Sequence, residues 1–150
     1  MTDAPDARSV FARGDRAFAE LSASLDAEPS RVLHGEGGRA WTARDVYVHL
    51  FRWQEWATEA LAQSLRSGEL VEAYADEEEM EALNARWQSE GETLSVDDAR
   101  DRCEESRARM CDAFLALTNE DWARWGPEYG AEFDGSHYRG HLEYIQNPKS

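Results

Sequence analysis

From Val96 to Leu117 the chain places Val96, Ala99, Cys103, Ser106, Met110, Ala113 and Leu117 at alternating steps of three and four residues. That rhythm keeps one helical face against a neighbour along its whole length, whereas a strand would scatter the same residues over both faces of a sheet. Ser95 is a natural N-cap for this helix, with Asp97 and Asp98 in the first turn. The same spacing recurs at Ala7, Phe11, Gly14, Phe18, Leu21 and Leu25, which predicts a first helix over about residues 6 to 26. Gly14 sits on that seam, where it marks a close approach to a neighbouring element. A third stripe, Val46, His49, Leu50, Trp53, Trp56, Ala57, Ala60 and Leu61, follows a near capping box at Thr42 and Asp45 and runs to about Ser67, where Gly68 stops it.

The last helix begins near Asp134 or Ser136, puts His137, Tyr138, His141, Tyr144 and Ile145 on one face, and ends at Asn147 and Pro148. No segment alternates with period two for long enough to predict a strand. The expected fold is therefore all-α, a four-helix bundle with long connections, built from a chain of 150 residues as a single domain. Three of those connections have a character of their own. Residues 28 to 40 carry one proline and three glycines and read as irregular. The acidic interval after Gly68 reads as solvated, followed by a short helix whose Leu83 and Trp87 anchor it across the end of the bundle. Residues 118 to 130, with Pro127 and two glycines, read as a loop that carries Trp122 and Trp125 as aromatic anchors.

Charge narrows the function. Sixteen basic residues against thirty-one acidic ones give a net charge of −15 with no local basic patch, which disfavours nucleic acid and anionic membrane surfaces as partners. No apolar run approaches the roughly 20 residues that cross a bilayer, and the acidic N-terminus does not read as a secretion signal, so the expected location is cytoplasmic. Cys103 and Cys111 lie eight residues apart on one helix, about 12 Å along its axis, too far to bond to each other. Both read as free, packed thiols, and Ser106 between them as a small residue that serves close packing.

His137 and His141 are four apart, so their imidazoles lie about 40° from each other on one helical face and can reach one point. A metal site needs a third ligand. His49, in the middle of the aromatic face of the second long helix, is the candidate, although taken alone it reads as readily as a core histidine held by one hydrogen bond. His34 lies in a glycine-rich loop and is left out. Three neutral imidazoles with one open position form the donor set of a catalytic zinc site, and imidazole suits zinc, nickel, copper and iron alike. Asp45, one turn before His49, is the nearest carboxylate in sequence to orient that ring.

The order W-T-A-R-D-V-Y-V-H-L-F-R-W, then L-N-A-R-W-Q, then S-H-Y-R-G-H-L resembles the DinB/YfiT superfamily of helical bundles over almost the whole chain. Within it the sequence is similar to the ClbS/DfsB branch and to the maleylpyruvate-isomerase-like members. The resemblance implies a divalent ion, zinc or nickel, on one histidine of the second helix and a pair four apart on the last, which here are His49, His137 and His141. It also implies chemistry of the kind performed by thiol S-transferases, thiol-dependent isomerases and a hydrolase that opens a strained ring, with a low-molecular-weight thiol as co-substrate in some members. The expected activity is attack by a water or thiol nucleophile on a small electrophilic substrate held among Trp53, Trp56, Trp87 and Tyr138. The alternatives are a non-catalytic protein that sequesters such a compound, or a bundle with structural histidines that acts in assembly. Six tryptophans and five tyrosines further suggest a homodimer, with Trp122, Trp125, Tyr129 or the second-helix aromatics at its interface.

Overall fold

The computed structural model describes residues 6–34 and 40–146. Six α-helices follow one another: α1 Ala7–Ala27, α2 Ala43–Ser67, α3 Glu77–Glu90, α4 Val96–Leu115, α5 Asn119–Tyr129 and α6 Ser136–Gln146. Short 3-10 turns at Gly91–Thr93 and Gly130–Glu132 join α3 to α4 and α5 to α6. Among the described residues the fold is helical except for one small ladder, β1 Leu33–His34 paired antiparallel with β2 Ala40–Trp41, in which Leu33 faces Trp41. That ladder corrects the expectation of an irregular connection, and its four residues are too few for any periodicity to show. The glycine-rich residues 35–39, the side chains of His34 and Tyr144, and Asn147 and Pro148 lie outside the described residues.

α2 is the central helix. From Asp45 to Phe51 every residue is buried, so its first turns are covered on all sides and not along one stripe. Its start is fixed as the sequence suggests: the Asp45 carboxylate accepts from the Thr42 N–H at 2.9 Å, which satisfies a donor that the helix leaves unpaired. Gly68 ends it in the left-handed conformation, its N–H returning to the Ser64 carbonyl. α4 lies along α2, and its buried seam runs Ala99, Cys103, Ser106, Met110 and then Phe114, with Ser95 capping the helix through the Asp98 N–H. α1 packs on α6. Two apolar clusters fill the space between them, one around Leu21, Tyr47, Leu50, Phe51 and Tyr138, the other around Phe11, Leu61, Met110, Phe114 and Phe133.

Gly14 is where α1 comes closest to another part of the chain. A Cβ built there would stand 2.1 Å from the Phe133 carbonyl oxygen and 2.7 Å from the Arg107 guanidinium. The close approach is thus made to the turn before α6 and to α4.

Two further connections differ from expectation. Residues 119–129 form a helix, not a loop: Thr118 caps it by accepting from the Asp121 N–H, and Trp125, Gly126 and Tyr129 are buried with Pro127 inside it. Proline removes one helical hydrogen bond, but here it falls in the last turn of a short helix whose aromatic face packs into the second cluster, and that packing prevails. Trp125 and Tyr129 are only 4% and 2% exposed, so they are core residues and not the exposed surface from which a homodimer was argued. The second difference is α3, which begins at Glu77, within the acidic interval, with Asp76 as its N-cap. It packs along α2, not across the end of a bundle: Trp87 meets Trp53 edge-on with ring centroids 5.0 Å apart, and Glu90 pairs with Arg52 at 3.3 Å. Among the described residues no helix is long and apolar enough to cross a membrane.

Candidate metal centre

α2 and α6 bring three histidines to one point. His49 sits in the fully buried stretch of α2, and α6 carries His137 and His141 one turn apart. The start of α6 is set by Asp134, whose carboxylate accepts from the Ser136 N–H at 2.8 Å, and by Gly135, whose φ of +101° is open to glycine and strained for other residues. The result is that His137 Nε2 lies 2.9 Å from His49 Nε2 and 3.1 Å from His141 Nε2. All three ligand atoms fall within 4.8 Å of one another. Nitrogens bound at about 2.1 Å to a common tetrahedral ion stand about 3.4 Å apart, so a group this close together could hold a metal ion.

The surroundings hold the rings and disfavour a charge on His141. Trp41, at the end of the small ladder, stacks on His141 at 5.9 Å with planes 19° apart and tilts against His49 at 4.8 Å. Burial, with His137 as a second cause, lowers the pKa of His141 well below its ordinary value. A neutral imidazole is the form that ligates metal, so the donor set fits a divalent ion without a proton to displace from that ring.

Beside the rings opens a cavity of about 140 Å3 lined by His49, Trp53, Tyr74, Met80, Glu132 and His137. Trp53 is held by a hydrogen bond from its indole N–H to Asn84 at 3.1 Å. Of the other aromatic residues expected at the pocket, Trp56 and Trp87 flank Trp53 edge-on at 5.6 and 5.0 Å and do not line this cavity. Tyr138 is not part of the pocket at all. It is fully buried, and its hydroxyl is bonded to Gln54 and, at 2.8 Å, to Arg107. An i, i+1 pair on a helix points in directions about 100° apart, so His137 and Tyr138 serve different regions. Tyr74 and Met80 were missed because the chain folds back onto α2 after Gly68 with no periodic signal to announce it.

Asp45 does not orient His49. One carboxylate oxygen takes the Thr42 N–H and the other the Arg44 guanidinium at 3.1 Å, which leaves the group committed to the helix start. The carboxylate at the cluster is instead Glu132, whose Oε2 lies 3.2 Å from His137 Nδ1. Neither cysteine belongs to the site. Burial raises the Cys103 thiol far above its ordinary range and pushes Cys111 up to about 11, so both are unreactive thiols at neutral pH.

The family model described as mycothiol maleylpyruvate isomerase N-terminal domain matches residues 7–142, which takes in all three histidines. The chain belongs to this family. Its resemblance to the DinB/YfiT superfamily is therefore real, and the maleylpyruvate-isomerase branch is the one matched. No curated protein and no solved structure matches the chain.

Proposed function

We propose that the chain is a metal-dependent enzyme acting on a small electrophilic molecule, in which His49, His137 and His141 hold a divalent ion, zinc or nickel, through Nε2. The observation that carries this reading is the convergence of the three Nε2 atoms, 2.9 and 3.1 Å apart, beside an aromatic cavity. A divalent ion held there would supply Lewis acidity and make a nucleophile available at neutral pH. The family is named for mycothiol, which favours a low-molecular-weight thiol as that nucleophile, with water as the alternative.

The chain's own residues bind and orient. His49 and His141 are buried and backed by Trp41, while His49 and His137 border the cavity. Trp53, Tyr74 and Met80 offer an apolar wall, and 140 Å3 is close to the roughly 150 Å3 that accommodates a benzene ring.

On this reading α1, α2, α4 and α6 are the four helices of a DinB/YfiT bundle, α3 and α5 belong to its long connections, and the chain acts as one domain. A cytoplasmic location suits a thiol-dependent reaction. The homodimer stays a proposal; the exposed apolar residues it could use are Leu65, Leu70, Tyr74 and Leu115, among others.

Elemental analysis of protein purified without a histidine tag tests the site: one divalent ion per chain is expected, and none would end the reading. Turnover of epoxides or activated ring compounds with and without added thiol tests the reaction. A thioether product that needs the thiol marks a transferase, and oxygen incorporated from labelled water marks a hydrolase. Tight binding with no turnover would leave a sequestering protein.

A further inference from the structure

Glu132 closes the turn that leads into α6, and its carboxylate Oε2 lies 3.2 Å from His137 Nδ1. We propose that Glu132 is the positioning residue of the histidine cluster. It holds His137 in the tautomer with the proton on Nδ1 and so turns the Nε2 lone pair toward His49 and His141. The consequence for metal affinity rests on the function proposed above; the tautomer does not.

A neutral imidazole carries its proton on either nitrogen, and the four-residue spacing of His137 and His141 does not choose between them. A carboxylate facing Nδ1 does choose. With the proton on Nε2, the Nδ1 lone pair would meet the carboxylate lone pairs at hydrogen-bond distance. The choice matters most at His137 because it is the central ring: Nε2 of each of the other two lies about 3 Å from its Nε2, at 2.9 and 3.1 Å. A proton on that atom would occupy the point where the three groups meet.

His137 is also the ring that packing holds least. Its side chain is 18% exposed, whereas His49 and His141 are 3% and 6% exposed and wedged against Trp41. Glu132 in turn is tied down. Its carbonyl lies 3.3 Å from the Tyr138 hydroxyl, and the next residue, Phe133, is seated so closely on α1 that only a glycine fits at position 14. The carboxylate therefore sits on a turn fixed against the core, as an orienting group must.

The test uses the full chain in two measurements. Long-range 15N–1H correlations of the histidine side chains at neutral pH, on metal-free protein, are expected to show His137 as the Nδ1–H tautomer in the wild type. Glu132→Ala should give a mixture or the Nε2–H form, and Glu132→Gln, which keeps a carbonyl acceptor, should restore the wild-type tautomer. Zinc titrated against a chromophoric chelator should bind Glu132→Ala about 10- to 100-fold more weakly, with Glu132→Gln between it and the wild type. A wild-type His137 in the Nε2–H form, or a Glu132→Ala protein with unchanged tautomer and zinc affinity, overturns the proposal. A wild type that takes up no zinc overturns the metal reading instead, and the tautomer measurement still decides the role of Glu132. Should Glu132→Ala fail to fold, a wild-type His137 in the Nε2–H form, or a Glu132→Gln protein that binds zinc as tightly as the wild type, overturns it.

Discussion

His137 and Tyr138 are neighbours on α6, yet they enter two buried polar regions of opposite character. Around Tyr138 donors meet acceptors. Arg107 donates to the Tyr138 hydroxyl at 2.8 Å, to Asp15 at 2.7 Å and to the Phe11 carbonyl at 3.3 Å, while Gln54 donates to Ser106 at 2.7 Å and to the Cys103 carbonyl at 3.0 Å. Around His137 three atoms of the same kind face one another. Both regions bury polar groups, so burial alone does not mark a functional site. A network that matches donor to acceptor is complete and rigidifies the core. A set of imidazole nitrogens aimed at a common point could hold a metal ion, and a cavity adjoins it.

The two regions are expected to fail in opposite ways. His141→Ala should abolish stoichiometric zinc binding and leave the helical circular dichroism, because two apolar clusters support the fold independently of that ring. Arg107→Ala should do the reverse: zinc stoichiometry stays at one, while unfolding free energy falls by about 2–4 kcal/mol, since Tyr138 and the Phe11 carbonyl lose a buried charged donor. Urea denaturation and metal analysis on both variants check the pair. If His141→Ala unfolds the chain, or Arg107→Ala loses metal while fully folded, the division between the regions is wrong.

A smaller effect is expected at Gly14, which seats the turn between the regions. Helix propensity alone favours Gly14→Ala by about 1 kcal/mol, whereas overpacking opposes it by about 1–3 kcal/mol. The obstacle is a backbone oxygen 2.1 Å from the new Cβ, which cannot swing aside as a side chain would. That places the overpacking at the upper end of its range, so net destabilisation of about 2 kcal/mol is expected in urea, and a more stable variant would show that the Phe133 turn yields.

The sequence made the helices legible where a stripe and a cap agree, as at Thr42 with Asp45 and at Ser95. It made the three histidines legible because two share a helical face and the third lies in an apolar stripe. α5 was misread because Pro127 and Gly126 outweighed a usable signal: Thr118, then Glu120 and Asp121, then Trp122, Trp125 and Tyr129 at helical steps. Glu132 was not legible at all. A turn and Gly135 separate it from His137, and no periodicity carries across a change of backbone direction. Asp45 shows the converse error, for nearness in sequence suggested a partner whose two oxygens the helix start already uses.

The smallest expected effect concerns the thiols, and it sharpens the comparison from the Tyr138 side. Cys103 lies within that network, fully buried, and Cys111 is partly buried two turns further along α4. Burial pushes the Cys111 thiol from 9.0 to about 11, and that of Cys103 further still. A thiol whose pKa is raised by folding stabilises the folded chain fully below the unfolded value, and that contribution is lost as pH climbs through the folded one. For Cys111 the window is therefore about pH 9 to 11. Alkylation by a neutral reagent, followed by mass spectrometry, should be slow at pH 7, rise toward pH 11 at Cys111, and spare Cys103 until the chain unfolds. Cys103→Ala should leave metal stoichiometry and turnover unchanged, because its thiol is held by packing. Rapid labelling of Cys103 in folded protein at pH 7 would mean that the network around Tyr138 opens readily, and the contrast between a closed structural region and an open ligand site would then have to be redrawn.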